Sequence, residues 1–426
     1  MSYAIIQEKI NNNKIIILDG GIGGELQKVG AKMDKGLWCG RCSLDNPNEL
    51  LKVHENYINA GVDVITTNTY ASTPISMKKY GYEDVILECN NKSVRLAKKA
   101  AENKKVAVAG SVSTYGCFHD LGIKNLIPSF SEHLKILTNE GVDLIILEAM
   151  SSQEDIVEAL LECSSKINIP TWLSISCVFN NNRKVMLGYD DNKNDPEPNI
   201  YGDFEIVTKK FGNMHKGPML VAHSEMNVTN EAVKILSKNL NNTIGAYPNR
   251  GHYVKPEWKF TDKLNPKDYL NKVKTYIESG ASIVGGCCGI GCFWDETKYE
   301  GIPGIVSTEC GYCGGDTPNV TYKTVCGGDS GHIEVVKVEY DEKIISFEEM
   351  VRLFFKLHDP TTKNRQGVNV GFQYRSEIFY NTDEEKDIAE KVLNEVNEYI
   401  KSGALIVGGC CGIGVEEIKA ISILKK

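Results

Sequence analysis

The chain has 426 residues, 42% of them hydrophobic and 24% charged, the proportions of a globular protein that buries substantial cores. At roughly 100–200 residues per domain, this length implies two or three domains. A net charge of −8 argues against nucleic acid or an anionic membrane surface as the main partner. No apolar run approaches the roughly 20 residues of a membrane span, and the opening MSYAIIQEKINNN has neither a basic start nor a cleavage site, so a cytoplasmic location is expected. The 14 cysteines then call for metal binding, catalysis or burial rather than a disulfide scaffold.

From residue 14 onward, short apolar runs alternate with helical patterns. The runs are KIIILDG (14–20), VDVITTNTY (62–70), KVAVAGSV (105–112), VDLIILEAM (142–150), TWLSISC (171–177), MLVAHS (219–224), TIGAYPN (243–249) and ASIVGGCC (281–288). The intervening helices carry boundary signals. One runs from Glu49 past His54 and Tyr57 to a C-terminal Gly61, and another is expected to start at Ser151, with Glu154 completing a capping box. Cys163 shares an apolar stripe with Ile156, Ala159 and Leu160 and reads as core. Cys39 and Cys42 form an isolated CxxC, expected in a surface loop rather than on structural zinc. Eight nearly continuous apolar strands separated by helices predict an α/β fold, a (β/α)8 barrel.

In such barrels the active site lies at the C-terminal ends of the strands. Those ends carry Asp19, Asn68, Glu148, Cys177, His223 and the adjacent pair Cys287–Cys288. Vicinal cysteines bridge each other poorly, but both can ligate a soft metal such as zinc. The segments LDGGIGGEL (18–26), LWCGRCSLDNP (37–47), VHENYINAGVDVITTNTY (53–70), EGVDLIILEA (140–149) and GGCCGIG resemble the homocysteine S-methyltransferase family in family order. The resemblance implies a zinc ion on three cysteine thiolates, which activates the homocysteine sulfur for methyl transfer. It also implies that Asp19 and Glu148 hold the substrate amino group. Two zinc ligands map onto the GGCC cysteines. The third family cysteine follows an Asn at the end of the sixth strand, where this chain reads Val221-Ala222-His223-Ser224. His223 would complete a Cys2His site, with Cys177 as a second candidate. Neither flavin nor cobalamin is expected, and a small sulfonium compound is the expected methyl donor.

The block from 291 to about 380 is unlike what precedes it. HIEVVKVEY alternates as a half-buried strand. FEEMVRLFFKLH aligns Phe347, Met350, Leu353, Phe354 and Leu357 on one helical face, so an α+β unit is expected. Cys292, Glu334, Tyr322 and Tyr374 supply a thiol nucleophile, a carboxyl and two phenols. GCFW, GYCGGDTPNVTY, GHIEVV, HDPTTKNRQG and QYRS closely resemble the A-type peptide methionine sulfoxide reductases. The resemblance implies that Cys292 attacks the sulfoxide sulfur and that Phe293 and Trp294 enclose the S-methyl group. Glu334, with Tyr322 and Tyr374, would hydrogen-bond and protonate the oxygen, a role that asks for partial burial of the carboxyl. A second thiol would then resolve the sulfenic acid, with a thioredoxin-like reductant as partner. Two features depart from the family: Asn369 stands where it has Asp, and its C-terminal portion with the late resolving cysteine is replaced. Cys326, Cys410 or Cys411 would have to serve; Cys310 and Cys313 are further candidates that otherwise read as packing.

What replaces that portion is a repeat. SGASIVGGCCGIG at 279–291 returns as SGALIVGGCCGIG at 402–414, with only Ser282 and Leu405 different. The expected domains are therefore a methyltransferase barrel (1–291), an inserted reductase (292–401) and a second GGCC strand with a final helix (402–426). Only one pair, Cys287–Cys288 or Cys410–Cys411, can bind metal. The reductase needs an apolar strand before GCFW, which slightly favours the second copy as the closing strand. The functional expectation is a bifunctional enzyme that makes methionine from homocysteine and reduces methionine S-sulfoxide, free or in proteins. Two alternatives stay open: a reductase on a degenerate, merely ligand-binding barrel, and a chimera with both activities broken.

Overall fold

The computed structural model describes residues 2–28, 31–116, 122–149, 153–189, 199–249, 252–254, 257–259, 266–286, 302–317, 325, 330–357, 363–366 and 369–401. The chain divides into two compact units, the first carrying the eight-stranded sheet up to residue 290 and the second beginning at 291. Among the described residues no helix is long and apolar enough to cross a membrane.

In the first unit all eight apolar runs form strands: β1 Ile16–Ile17, β2 Val64–Thr66, β3 Ala107–Ser113, β4 Leu144–Ala149, β5 Thr171–Ile175, β6 Met219–Glu225, β7 Ile244–Asn249 and β8 Ala281–Val284. They pair in parallel in the spatial order β1-β8-β7-β6-β5-β4-β3-β2. The two ends of this sheet meet through a parallel bridge between Leu18 and Val64, with Asp63 N–H donating to Ile17 O at 2.7 Å and Asp19 N–H to Val64 O at 3.0 Å. Parallel strands buried on both faces explain the unbroken apolar runs. Alternate residues face the barrel interior, where Ile16, Leu18, Val64, Ala109, Ile146, Trp172, Leu220 and Ile283 form one core cluster.

The first residues also have a place in this core. Helix Ser2–Asn11 contributes the buried Ile6, with Tyr3 and Ile10 packed alongside. Lys9 pairs with Asp63 at 2.6 Å, and the other Asp63 oxygen accepts Ile17 N–H at 3.0 Å. The helix is thereby held against the N-terminal ends of β1 and β2.

Helix Pro47–Asn59 ends as expected, with Gly61 in the left-handed region at φ 95°. Helix Glu154–Ser164 does not begin at a Ser151 capping box: its N-cap is Gln153, and Ser151 lies outside the described residues. Glu154 and Asp155 still place negative charge in its first turn, where the helix dipole favours it. Cys163 is buried with Ile156, Ala159 and Leu160. Cys39 and Cys42 are not in a surface loop; they are 3% and 1% exposed. Burial pushes the Cys42 thiol up to about 12, with Asp45 adding to the effect.

The first repeat copy closes the barrel, correcting the slight preference for the second. Ile283 and Val284 pair with Ile16 and Ile17 on one side and with Gly245 and Ala246 on the other. The sequence similarity runs further upstream than the GGCC segment, from LNKVKTYIESGA (270–281) to LNEVNEYIKSGA (393–404). The copies differ one position before this, at Tyr269 and Val392. The buried Tyr269 donates its hydroxyl to Gly285 O, an anchor that valine cannot supply. The second copy, residues 404–411, lies outside the described residues.

In the second unit, β9 Ile305–Cys313 and β10 Ile333–Tyr340 pair antiparallel. Helix Phe347–Leu357 has two apolar faces rather than one. Met350 and Leu353 pack with Ile305, Val336 and Val338 of the hairpin. Val351 and Phe355, outside the predicted stripe, pack with Ala389 and Val392 of helix Asp383–Lys401.

Because Ile283 is fully buried between β1 and β7, Ile283→Ala should destabilise the barrel by about 2–5 kcal/mol, whereas Ile406→Ala should leave its unfolding transition in place. Denaturant melts of the two variants check this. Removing residues 292–414, which joins Gly291 to Val415, should leave a cooperatively folding barrel.

Candidate active site

The site at the C-terminal mouth of the barrel is built on two buried carboxylates. Asp19 follows β1 and is 3% exposed; Glu148 lies in β4 and is 7% exposed. One Asp19 oxygen accepts Thr66 N–H at 2.7 Å, and the Thr66 hydroxyl lies 3.1 Å away. Burial pushes the Asp19 carboxyl up to about 7; the Thr66 bonds oppose that rise, and the Glu148 charge reinforces it. Glu148 accepts the Ser111 hydroxyl at 2.5 Å on one oxygen and faces His223 Nε2 at 3.1 Å on the other.

His223 sits near the end of β6 in the left-handed region, at φ 48°. That conformation costs a residue with a β-carbon on the order of 1 kcal/mol or more. The compensating contacts are the Glu148 bond and two rings, with centroids at 5.3 Å for Tyr70 and 6.3 Å for Tyr247. The loop bearing Tyr70 is itself fixed: Thr69 Oγ1 donates to Ser111 O at 2.7 Å, and the Ser113 hydroxyl donates to Tyr70 O. Asn68, a plausible turn former by sequence, is buried and donates to Cys39 O at 2.8 Å, tying the CxxC segment to the end of β2.

The strand before the cysteine pair arrives at the same place. Gly286 N–H donates to Asp19 O at 3.3 Å, and Gly285 N–H to Ala246 O at 3.2 Å. A β-carbon on Gly285 would lie 2.6 Å from that of Leu18, so only glycine allows this approach. Cys287 is the next residue after Gly286. Cys287 and Cys288 themselves, like Cys410 and Cys411, lie outside the described residues, and among the described residues no three metal-ligating side chains cluster.

The stretch where the third thiolate was expected, Val221-Ala222-His223-Ser224, ends in Ser224. Its hydroxyl donates to Ala222 O at 2.7 Å and accepts Cys177 N–H at 2.8 Å, so it is committed to the backbone. Cys177 fits poorly as the substitute ligand, since complete burial pushes its thiol up to about 12. His223 fits better: a carboxylate on one ring nitrogen is the arrangement that orients metal-bound histidines.

The structure thus brings Asp19, Glu148 and His223 together. The sequence reading missed their supports: Thr66, Ser111, Tyr70 and Tyr247. Ser111 had a signal, because it continues the interior alternation of Ala107 and Ala109 at the end of an apolar run.

In the second unit, Glu334 lies on β10 opposite Tyr312, and Tyr374 ends the short turn Phe372–Tyr374, which packs against β10. The elements bearing these two residues therefore meet. Tyr374 is half-buried, but Glu334 is exposed, contrary to the expected partial burial, because its position alternates outward from the buried Ile333. Cys292, Phe293, Trp294 and Tyr322 lie outside the described residues.

The Asp19 carboxyl has a sign-definite consequence for stability. Its folded value of about 7 lies above the ordinary aspartate value near 3.9, so the native state holds the proton more tightly. The stabilisation is fully present below about pH 4 and is lost as pH rises to about 7. Asp19→Asn should remove this decline, measured as the barrel unfolding free energy against pH.

Two family profiles match the chain: homocysteine S-methyltransferase over residues 16–292 and peptide methionine sulfoxide reductase over residues 286–407. The peptide methionine sulfoxide reductase MsrA of Pelagibacter ubique is 54% identical over 110 residues, covering 26% of this chain and 75% of that protein. The MsrA of Methanococcus maripaludis is 55% identical over 113 residues, covering 26% and 72%. A crystal structure of the homocysteine methyltransferase MmuM from Escherichia coli, in its metallated form, superposes with a TM-score of 0.53 at 21% identity, over 66% of this chain and 94% of that one, a likeness of fold. Through residues 16–292 the chain belongs to the homocysteine S-methyltransferase family, and through the block that follows it belongs to the peptide methionine sulfoxide reductases.

Proposed function

We propose that this chain is a bifunctional enzyme of methionine metabolism, transferring a methyl group to homocysteine in its barrel and reducing methionine S-sulfoxide in its second unit. The observation that carries the first activity is the buried pair Asp19 and Glu148 at the barrel mouth, beside the strand that leads into Cys287. An ammonium group is the natural partner of two desolvated carboxylates, and homocysteine supplies one together with its thiol. A bound ammonium would favour the ionised form of Asp19. Thr66, Ser111 and His223 hold the two carboxylates in place for it.

Zinc would be held by Cys287, Cys288 and His223, with Glu148 orienting the imidazole. When bound, it lowers the pKa of a thiol that ligates it and so supplies a thiolate at neutral pH. The methyl donor is a small sulfonium compound. Cys410 and Cys411 are not assigned to this site, because the first copy of the strand closes the barrel.

In the reductase unit, Cys292 attacks the sulfoxide sulfur, Phe293 and Trp294 surround the methyl group, and Glu334 with Tyr322 and Tyr374 delivers a proton to the oxygen. Methionine leaves and Cys292 is left as the sulfenic acid. A second cysteine, Cys326, Cys410 or Cys411, condenses with it to a disulfide, which a thioredoxin-like partner reduces. Glu334 is exposed, so the substrate itself must shield the carboxyl when it binds.

Assays of both reactions on one preparation test this reading. Cys292→Ser should abolish sulfoxide reduction and leave homocysteine methylation unchanged, since a hydroxyl is a far weaker nucleophile than a thiolate. Glu334→Gln should slow reduction by roughly 10²–10⁴-fold at similar KM. Elemental analysis should find that Cys287→Ser/Cys288→Ser and His223→Ala lose zinc, while Cys410→Ser/Cys411→Ser keeps it; equal zinc in all of them would remove the metal assignment.

A further inference from the structure

Among the described residues, two buried polar atoms near the ends of β5 and β7 have no hydrogen-bond partner. Ser174 is 1% exposed and Asn249 is 7% exposed, and neither Ser174 Oγ nor Asn249 Oδ1 makes a hydrogen bond. Buried polar atoms are almost always satisfied, and an exception asks for an absent partner. Ser174 lies on β5 two residues beyond Trp172, a member of the interior cluster, so the two share the inward face. Its direct neighbour across the sheet is Glu148 on β4. Asn249 ends β7, two residues beyond the interior Tyr247. Both orphans therefore belong to the strand ends that carry Asp19 and Glu148.

We propose that Ser174 and Asn249 complete the seat for an α-amino acid head group, Ser174 donating its hydroxyl hydrogen to the ligand carboxylate and Asn249 accepting from the ligand ammonium. This rests on the reading of the barrel as a homocysteine site. The chemistry of the four side chains divides accordingly. An ammonium offers three N–H donors, and Asp19, Glu148 and Asn249 Oδ1 offer three acceptors. A carboxylate needs a donor, and of the two unpaired atoms only Ser174 Oγ carries a hydrogen, whereas Asn249 Oδ1 can only accept. The spacing agrees: adjacent strands lie about 4.8 Å apart, so neighbouring side chains on β4 and β5 can reach the two charged groups carried by one α-carbon. Ser174 and Asn249 thereby select an intact amino acid over a simple thiol or amine.

Calorimetric titration of the full-length protein with L-homocysteine and with 3-aminopropane-1-thiol, its carboxylate-free analogue, tests this. Ser174→Ala should weaken L-homocysteine by roughly tenfold or more, as for a lost hydrogen bond to a charged group, and leave the analogue unchanged. Asn249→Ala should weaken both. If Ser174→Ala fails to fold, Ser174→Cys keeps the volume, loses the strong donor and should show the same selectivity. An unchanged homocysteine affinity, or equal weakening of both ligands, overturns the proposal and leaves the two atoms to internal water. Binding that depends on Asp19 and Glu148 but not on Ser174 refutes this inference alone. A wild-type protein that does not bind L-homocysteine refutes the underlying reading with it.

Discussion

The insertion of β8 between β1 and β7 is the constraint on which the first unit depends. A parallel sheet of seven strands would leave two open edges and an unfilled interior, because the layers of a barrel core draw side chains from strands all around the circle. Ile283 and Val284 fill that gap. The same contact decides the chemistry at the mouth. Once Val284 is paired, Gly285 runs against Leu18 at a distance that excludes any side chain, and Gly286 is bonded to Asp19. Barrel closure and the placement of Gly286, the residue before Cys287, against Asp19 are therefore one event.

At the mouth, the energetic arrangement is uneven. Asp19 and Glu148 are two acids in a water-poor site, where burial first and then the Glu148 charge raise the cost of ionising Asp19. The protein offsets this with Thr66 on Asp19 and with Ser111 and His223 on Glu148. His223 accepts a left-handed backbone to do so. A site that tolerates unfavourable charge and unfavourable backbone together is organised for a ligand that relieves at least one of them.

The repeated segment shows how the closing strand is fixed before the chain passes into the second unit. A loop of any length can follow a closing strand at small entropic cost, provided that the strand is held before the loop begins. Here the hold comes from the helix upstream, through the Tyr269 hydroxyl on Gly285. The second copy retains the strand sequence but carries Val392 at the anchoring position. In the second unit that valine is buried against Val351 and Phe355, so the duplicated helix serves a different core.

The alternation of apolar runs and helices was enough to place all eight strands, since a strand buried on both faces has little freedom in composition. Motif order assigned both families, and the polar residues ending the runs pointed to Asp19, Glu148 and His223. Other features depend on contacts between distant segments and leave no local trace. Cys39 and Cys42 are buried because a helix and the end of β2 cover them, and Glu334 is exposed because of its phase on β10. The start of helix Glu154–Ser164 ignored a plausible capping box. The partners of Glu148 come from β3 and β6, 37 and 75 residues away. Between two nearly identical segments, sequence periodicity could not choose, because both carry the same apolar pattern. Only the packed barrel decided, through a single tyrosine hydroxyl placed where the strand ends.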